Sequence, residues 1–382
     1  MTPPPGAKVF FTGTHRVRRP AETWAAIEPL LPRYGITRIA DVTGLDVLGV
    51  PVMMAVRPLA RSLTVSQGKG QTPLLARISA AMESLELWHA ENVPRSFVHR
   101  ATPARDLGLP YRIAGIVSHA GSLVTEQTPL DWVDTLDTGS GEPVPVPWPV
   151  VHLPEPVRPW TPPGFLWSSN GLAAGNSRAE AGLHAIYEII ERDALSRIPR
   201  GARWHYIDPG SLDDDVCAPL IDRVRAAGAT VRITTVDSRF GVPCFAARVW
   251  SQDFPIACGG WGTHLDPHVA LSRALTEAVQ SRLTGIAGSR DDLPAVYQRV
   301  RLSTEDLVPE EAATLSWAEI EPPGPGAFDD VDAELAWLSG RVREVTGTGP
   351  LLADLSTAEE FAVVKVTIPQ TLFDAEYLHT GQ

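Results

Sequence analysis

The chain has 382 residues, enough for two domains or one large one, and its 44% hydrophobic and 20% charged content is ordinary for a folded protein. A net charge of −12 argues against a general binder of nucleic acid or of an anionic membrane, because both need a basic face. No stretch approaches the ~18 apolar residues of a membrane span, and no apolar run near the N-terminus is long enough for a signal peptide. Three cysteines without a CxxC pair favour a reduced, cytoplasmic compartment.

The first half of the chain mixes helix-like and strand-like segments. Residues 1–37 form a lead-in with a short helix over residues 21–31, and strand-like runs broken by Gly and Pro follow over residues 36–58. Hydrophobic periodicity predicts a helix over residues 72–91, and residues 112–118 are strand-like. The proline-rich stretch 142–163 predicts an extended connection, mostly polyproline II, or a mobile loop over a site.

The second half continues the same mixture. A long helix is predicted after Ser177, within a segment that starts with glycines at residue 171 and ends at residue 197. Strands are predicted over residues 230–237 and 243–251, and Asp266 caps a further helix with Pro267 at its first position. Residues 331–345 are predicted to be helical and residues 361–369 to form a strand. The fold class is therefore mixed α/β, without a strict βαβ repeat.

Four polar side chains share one face of the helix after Ser177. Glu180, His184, Glu188 and Glu191 fall within roughly an 80° arc at ~100° per residue. Carboxylates gathered in this way repel one another, so a positive group is expected opposite them. A divalent metal that also holds phosphate is the first candidate, and arginine is the alternative. Glu180 also fits a capping box with Ser177, which is a structural role.

Two other predicted helices carry polar faces. In the helix over residues 72–91, Ser79, Glu83 and Glu86 lie within roughly 60° of one another, although a solvated face would look the same. In the helix that begins at Asp266, one face carries Arg273, Glu277 and Gln280.

Glycine-bordered turns adjoin these helices. Lys69 lies in the sequence SQGKG, which lacks the spacing of a Walker loop but lets the backbone approach an anion closely. Arg290 follows two glycines after the third helix and could reach a phosphate or form a surface salt bridge. Three helices with acidic faces and these turns together resemble a nucleotide site with carboxylate-held Mg²⁺. No general base is obvious, and His184 and His264 are the histidine candidates.

Several long segments resemble the YcaO family in the right order. They are DVTGLDVLGVPV, VRPLARSLTVSQGKG, ARISAAMESLELWHAE, GLAAGNSRAEAGLHAIYEIIERDALSR, GGWGTHLDPHVALSRALTEAVQSRLTGIAGSRDD and VVKVTIP. The resemblance implies a YcaO-type fold over residues 38–369, with strands and packed helices lining a nucleotide cleft, and a C-terminal tail over residues 370–382. It also implies ATP-dependent phosphorylation of a backbone amide in a ribosomally made precursor peptide, which gives an azoline by cyclodehydration or an amidine.

The resemblance also assigns roles to residues. The implied Mg²⁺ ligands are Glu83, Glu86, Glu188 and Glu191, with Glu180 as a fifth. The implied nucleotide contacts are Lys69, Ser79, Glu277, Gln280 and Arg290. Arg192 and Arg282 match family motif positions without an assigned role.

Two departures from the family pattern bear on the reaction. Leu87 stands where many members have arginine, and the C-terminus lacks the proline-rich tail of many azoline-forming members. The chain is similar to short, stand-alone members, including those of bottromycin-type pathways, and to members that work with a separate TfuA protein. Thioamide formation with a TfuA-like partner is therefore the alternative reaction. A homodimer is expected from the resemblance alone.

Two other classes of protein remain open. A non-catalytic accessory protein that binds nucleotide or peptide would also carry these features. A carboxylate-bridged redox metal protein would use similar ExxE pairs, but such sites usually contain ExxH, and His184 precedes Glu188 by four positions.

Overall fold

The computed structural model describes residues 6–116, 121–153, 164–289, 314–320 and 328–374. In these ranges the α-helices are α1 (Pro20–Ile27), α2 (Pro73–Glu91), α3 (Trp148–Val151), α4 (Arg178–Arg197), α5 (Cys217–Ala226), α6 (Pro267–Ala287) and α7 (Val331–Thr346). The strands are β1 (Val9–Phe11), β2 (Thr14–Arg16), β3 (Arg38–Asp41), β4 (Val52–Val56), β5 (Val65–Lys69), β6 (His99–Pro103), β7 (Pro129–Asp137), β8 (Pro143–Pro147), β9 (Leu172–Gly175), β10 (Trp204–Ile207), β11 (Thr230–Val236), β12 (Cys244–Ser251), β13 (Phe254–Thr263), β14 (Thr314–Leu315), β15 (Leu351–Asp354) and β16 (Ala362–Thr367).

The strands form four sheets. A hairpin of β1 and β2 precedes a three-stranded sheet ordered β3-β4-β5. A six-stranded sheet has the order β6-β7-β15-β16-β9, with β8 also paired to β7, and a five-stranded sheet has the order β13-β12-β11-β10-β14. Neighbouring strands are antiparallel except for the parallel pair β10 and β14. The expected mixed α/β class is confirmed.

Three long helices pack on these sheets and meet around one cavity. Helix α2 packs on β4, β5 and β9, helix α4 on β9 and β16, and helix α6 on β12 and β13. Their starts follow the cap residues in the sequence. Thr72 and Ser177 each accept a backbone N–H with their side-chain oxygens, and Asp266 accepts the N–H of His268 at 2.9 Å.

Some predicted segments differ from the structure. The helix predicted over residues 21–31 begins at Pro20 and ends at Ile27. The chain continues as a 3₁₀ helix (Glu28–Tyr34), because Pro29 and Pro32 have no backbone N–H for an α-helical hydrogen bond. The strand predicted over residues 112–118 is wrong, since Ile113–Gly115 is a 3₁₀ turn and residues 117–118 lie outside the described ranges.

The proline-rich stretch 142–163 is only partly an irregular connection. Its beginning forms the edge strand β8, in which Val144 and Val146 are buried and alternate with prolines. An edge strand tolerates proline because one side of its backbone needs no ladder partner. Residues 154–163 lie outside the described ranges. No helix of the described ranges is long and apolar enough to cross a membrane.

Close contact between β5 and α2 depends on Gly68. A Cβ atom at this position would collide with the backbone of Ala76 and Ala80 in α2. Lys69 is the next residue, so the same contact fixes the strand that carries it into the cavity.

We expect Gly68→Ala to lower the free energy of unfolding by about 3 kcal/mol, because neither backbone can move aside cheaply. The matched control is Gly44→Ala, since a Cβ at Gly44 meets nothing within 4 Å. Chemical denaturation of both variants measures the difference. Equal stability of Gly68→Ala and wild type would contradict this account of the contact.

Candidate functional site

A cavity of about 740 Å³ lies between α2, α4 and α6. It is also lined by β5, by the β1–β2 hairpin and by residues 166–170. Among the residues expected at a site, those that line it are Lys69, Ser79, Glu83, Glu86, Glu180, Glu188, Glu191, Glu277 and Gln280. Arg290, the remaining expected contact, lies outside the described residues. The cavity therefore brings together every described residue of the expected set.

The two glutamates of α2 are held by backbone groups of neighbouring strands. Glu83 accepts the N–H of Gln67 at 2.9 Å, and Glu86 accepts the N–H of Ala174 at 2.6 Å. Burial raises the pKa of Glu86 well above its usual value, the hydrogen bond from Ala174 opposes this, and repulsion from Glu83 adds to it. Both carboxylates are thus fixed in position before any ligand binds.

The two glutamates of α4 lie in a desolvated position. Burial raises the pKa of Glu188 to about 7, although Arg192 and Lys365 oppose the shift. Burial also raises the pKa of Glu191, with Arg192 as its main opposing charge, 3.5 Å away. The nearby cations therefore offset only part of the desolvation, so these carboxylates favour a further cation.

Helix α6 contributes an ion pair. Glu277 pairs with Lys69 across the cavity. Burial raises the pKa of Glu277, but Lys69 and Arg192 more than offset this effect and leave the pKa below its usual value. One turn further along, the Gln280 side chain donates to the carbonyl oxygen of Gln67 at 2.9 Å. Strand β5 and helix α6 are therefore joined by contacts that face the cavity.

Glu180 makes structural hydrogen bonds in addition to lining the cavity. Its carboxylate accepts the N–H of Val17 at 2.8 Å and the N–H of Asn176 at 3.0 Å. The predicted capping box is only half formed, because Ser177 accepts the N–H of Glu180 at 3.2 Å but the Glu180 carboxylate bonds to Asn176 instead of Ser177. The chain bends so that Asn176, one residue before the cap, presents its N–H. Arg16 lies 3.6 Å from the same carboxylate.

The acidic residues fit a Mg²⁺ ion that is shared with a phosphate-bearing ligand. Among the described residues, no group of three or more His, Cys, Asp or Glu side chains is close enough to hold an ion alone. Mg²⁺, however, usually takes one or two carboxylates and completes its shell with phosphate oxygens and water. The carboxylate oxygens that line the cavity are ligands of the kind that Mg²⁺ prefers, and the raised pKa values of Glu86 and Glu188 show that these carboxylates lack full compensation for their charge.

Both histidine candidates for a general base are neutral near physiological pH. Burial, with a nearby Arg273, lowers the pKa of His184 and of His264 well below the usual value. His184 lines the cavity and contacts Arg273 at 3.4 Å, whereas His264 packs against the Tyr187 ring. Of the two, only His184 is therefore placed to meet a ligand.

Sequence reasoning missed part of the cavity wall. The β1–β2 hairpin, in the segment treated as a lead-in, contributes Thr12, Thr14 and Arg16, and β13 contributes Trp261. No charge or spacing pattern marks these residues, because they approach the helices only through long-range folding. Leu87 also lines the cavity.

Arg282, which had no assigned role, is a structural residue. Its guanidinium donates to Asp46 at 2.8 Å and to the Ser251 hydroxyl at 2.9 Å. Its side chain is about 3% exposed, so the pair anchors α6 to the segment before β4. Arg192, by contrast, lines the cavity.

Comparison with known proteins identifies the family. The family model described as "YcaO cyclodehydratase, ATP- and Mg²⁺-binding" matches residues 67–372. An uncharacterized protein of Mycobacterium tuberculosis is 41% identical over 366 residues, which cover 94% of this chain and 82% of that protein. A protein of Rhizobium leguminosarum bv. trifolii, named for its position in the tfuA 3′ region, is 40% identical over 308 residues, covering 75% and 71%.

Solved structures share the fold. YcaO from Methanopyrus kandleri, bound with AMPPCP and Mg²⁺, aligns with a TM-score of 0.77 at 22% identity, covering 98% of this chain and 96% of that one. A heterocyclase in complex with substrate and cofactor aligns with a TM-score of 0.76 at 21% identity, covering 96% and 55%. The YcaO-type fold is thus confirmed, and ATP and Mg²⁺ are the cofactors that the family description names. The chain belongs to the YcaO family.

Proposed function

We propose that this protein uses ATP and Mg²⁺ to activate a backbone amide of a ribosomally made precursor peptide. The observation that carries the proposal is the group of buried and half-buried glutamates from α2 and α4 that line one cavity, with the Lys69–Glu277 pair on its wall. Acidic groups with raised pKa values favour a bound divalent cation, and a cation held by few protein ligands favours a polyphosphate.

The proposed roles of the described residues agree with their positions around the cavity, and the role of Arg290, which lies outside the described residues, follows from the family resemblance. The proposed Mg²⁺ ligands are Glu83, Glu86, Glu188 and Glu191, with Glu180 held nearby by its backbone contacts. Since no three of these described residues are close enough to hold one ion alone, each ion would take one or two of them together with phosphate oxygens. The nucleotide contacts are Lys69, Ser79, Glu277, Gln280 and Arg290. Bound Mg²⁺ would neutralise the phosphates and so ease transfer of the γ-phosphoryl group.

The chemistry replaces a poor leaving group by a good one. The amide oxygen takes the γ-phosphoryl group of ATP, and a nucleophile forms a bond to the amide carbon. The carbon–oxygen bond then breaks, and the oxygen leaves with phosphate. In azoline formation the nucleophile is a neighbouring side-chain thiol or hydroxyl, and in amidine formation it is an amine. Fixed carboxylates and Lys69 contribute by positioning and by charge neutralisation.

Thioamide formation is the second candidate, with sulfide as the nucleophile. The Rhizobium relative named for the tfuA region favours it, because a TfuA-like partner is the expected accessory protein for that reaction. The two candidates share the ATP and Mg²⁺ site and differ only in the group that attacks the activated amide.

We expect Glu191→Gln to reduce peptide-dependent ATP turnover by at least about 100-fold, because the change removes a charge that holds the cation beside the reacting phosphate. The matched control is Glu344→Gln, at an exposed glutamate of α7 whose partner is the nearby Arg341. Phosphate release measures turnover, and circular dichroism verifies the fold. Full turnover in a folded Glu191→Gln protein would refute the metal assignment.

We expect the affinity of the ATP-bound protein for Mg²⁺ to rise with pH from about 6 to about 8, because a carboxylate must lose its proton to bind the ion. The pKa of Glu188 is about 7, above its usual 4.5, so the metal-free native state holds a proton that the unfolded state releases between these values. Without metal, the native state should therefore lose stability as pH rises from 4.5 to about 7.

Titration calorimetry with Mg²⁺ from about pH 6 to about 8, and thermal melting in a chelator between the unfolded and folded pKa values of Glu188, 4.5 and about 7, check these expectations. Glu188→Gln should weaken both pH dependences without abolishing them, since it removes one titrating carboxylate and leaves Glu86 and Glu191, whose pKa values burial also raises. Wild-type protein with pH-independent affinity and melting temperature would contradict the assignment.

Mass spectrometry of a precursor peptide distinguishes the two candidate products. Azoline or macrocyclic amidine formation removes one water, whereas thioamide formation replaces one oxygen by sulfur. We expect loss of water with this protein, Mg²⁺ and ATP alone. Oxygen-to-sulfur exchange that requires sulfide and a TfuA-like partner would instead establish the second candidate.

A further inference from the structure

The cavity wall contains a buried amide that the proposed chemistry leaves unused. Gln67 lies on β5 two residues before Lys69, so both side chains leave the same face of the strand, toward the cavity. Gln67 is 2% exposed, and its side-chain Nε2 has no hydrogen-bond partner among the described residues. Buried polar groups are nearly always hydrogen-bonded, so a donor left unpaired in a cavity wall indicates a ligand.

Neighbouring contacts fix the orientation of this amide. The side-chain oxygen of Gln67 accepts from the Thr284 hydroxyl, which occupies the acceptor end of the group. The backbone of Gln67 is held on both sides, since its N–H donates to Glu83 at 2.9 Å and its carbonyl accepts from Gln280 at 2.9 Å. The NH₂ group is therefore the end of the side chain that remains for a ligand.

Along the axis of α6, the Gln67 side-chain amide lies nearer the C-terminal end of the helix than the Lys69–Glu277 pair does. Thr284 is seven positions beyond Glu277 on α6, which corresponds to about 10 Å along the helix axis. Strand β13 runs antiparallel to α6, because Gly262 abuts Ala270 and Gly260 abuts Ala278. Earlier residues of β13 therefore lie toward the C-terminal end of α6.

The cavity wall also includes apolar side chains. Ile256, from the start of β13, and Met82, beside Glu83 on α2, both line the cavity. Leu63, two residues before β5, also lines it. Apolar walls with a few placed polar groups are typical of sites for flat heterocycles.

We propose that Gln67 is the base-contact residue of the nucleotide site. Its NH₂ group donates a hydrogen bond to a ring nitrogen of the purine, while the triphosphate extends toward Lys69 and Glu277. Thr284 is a positioning residue that orients the amide. This inference rests on the proposed function, because it takes ATP as the ligand of the cavity.

Binding of base-modified nucleotides tests the inference. Titration calorimetry with Mg²⁺ compares ATP with three analogues in which the adenine N1, N3 or N7 atom is replaced by CH. We expect wild-type protein to lose about 3- to 10-fold in affinity for one of the three, as for one neutral hydrogen bond. Gln67→Met should bind ATP and that analogue equally, since it lacks the donor.

Two further variants complete the design. Gln71→Met is the matched control, because Gln71 also lines the cavity but donates to the Ser272 hydroxyl at 2.9 Å, and it should keep the wild-type preference among analogues. Thr284→Val should reduce that preference without removing the donor. In Gln67→Met the Thr284 hydroxyl still donates to the Gln280 carbonyl oxygen, 2.8 Å away, so we expect this variant to fold. If it does not fold, the result with Thr284→Val decides whether Gln67 contacts the base.

The outcomes separate the two proposals. If wild-type protein binds ATP but treats all three analogues as it treats ATP, or if Gln67→Met keeps the full preference, the base-contact inference is wrong and the proposed function stands. If wild-type protein does not bind ATP, the proposed function itself fails.

Discussion

Burial of negative charge in one cavity is the constraint on which the site depends. Glutamates of α2 and α4 face a common space in which burial raises the pKa values of Glu86, Glu188 and Glu191. Arg192 opposes the pKa shifts of Glu188 and Glu191, and Lys365 opposes that of Glu188, but neither cation cancels them. A divalent cation and a polyphosphate complement this cavity together, because each supplies the charge that the other needs. Metal and nucleotide binding are therefore expected to be coupled.

The surrounding fold keeps this charged cavity rigid. Glu83 and Glu86 each accept a backbone N–H from a strand, so their carboxylates do not rotate freely. The buried Arg282–Asp46 pair anchors α6, and the close approach at Gly68 sets the distance between β5 and α2. Groups fixed in this way need little reorganisation when charge moves during a reaction, which is how preorganised sites lower barriers.

Signals between residues close in sequence predicted the long helices better than they predicted the strands. Ser177 and Asp266 marked two helix starts because a cap is a contact between residues close in sequence. The helical period likewise placed the glutamates on shared faces. Strand β8 was missed because a run with this many prolines can form a strand only at a sheet edge. Its pairing with β7 depends on tertiary structure, which the composition of the segment does not reveal.

The candidate site was predictable mainly where it lies on helices, and Lys69 of β5 is the exception, because glycines on both sides mark it in the sequence. The contact between Glu180 and Val17 spans 163 positions, and no spacing rule foretells it. For the same reason the β1–β2 hairpin was not expected in the cavity wall. The sequence also shows no sign that the side-chain NH₂ group of Gln67 is unpaired, because the orientation of Gln67 depends on contacts with the distant residues Thr284 and Gln280.

The buried ion pair between Lys8 and Glu334 joins residues 326 positions apart. It ties the segment just before β1 to α7, near the opposite end of the described chain. A nascent polypeptide still attached to the ribosome cannot make this contact until α7 has emerged. The segment before β1 can therefore dock on α7 only after most of the chain has been synthesised, although it is among the first parts of the chain to emerge.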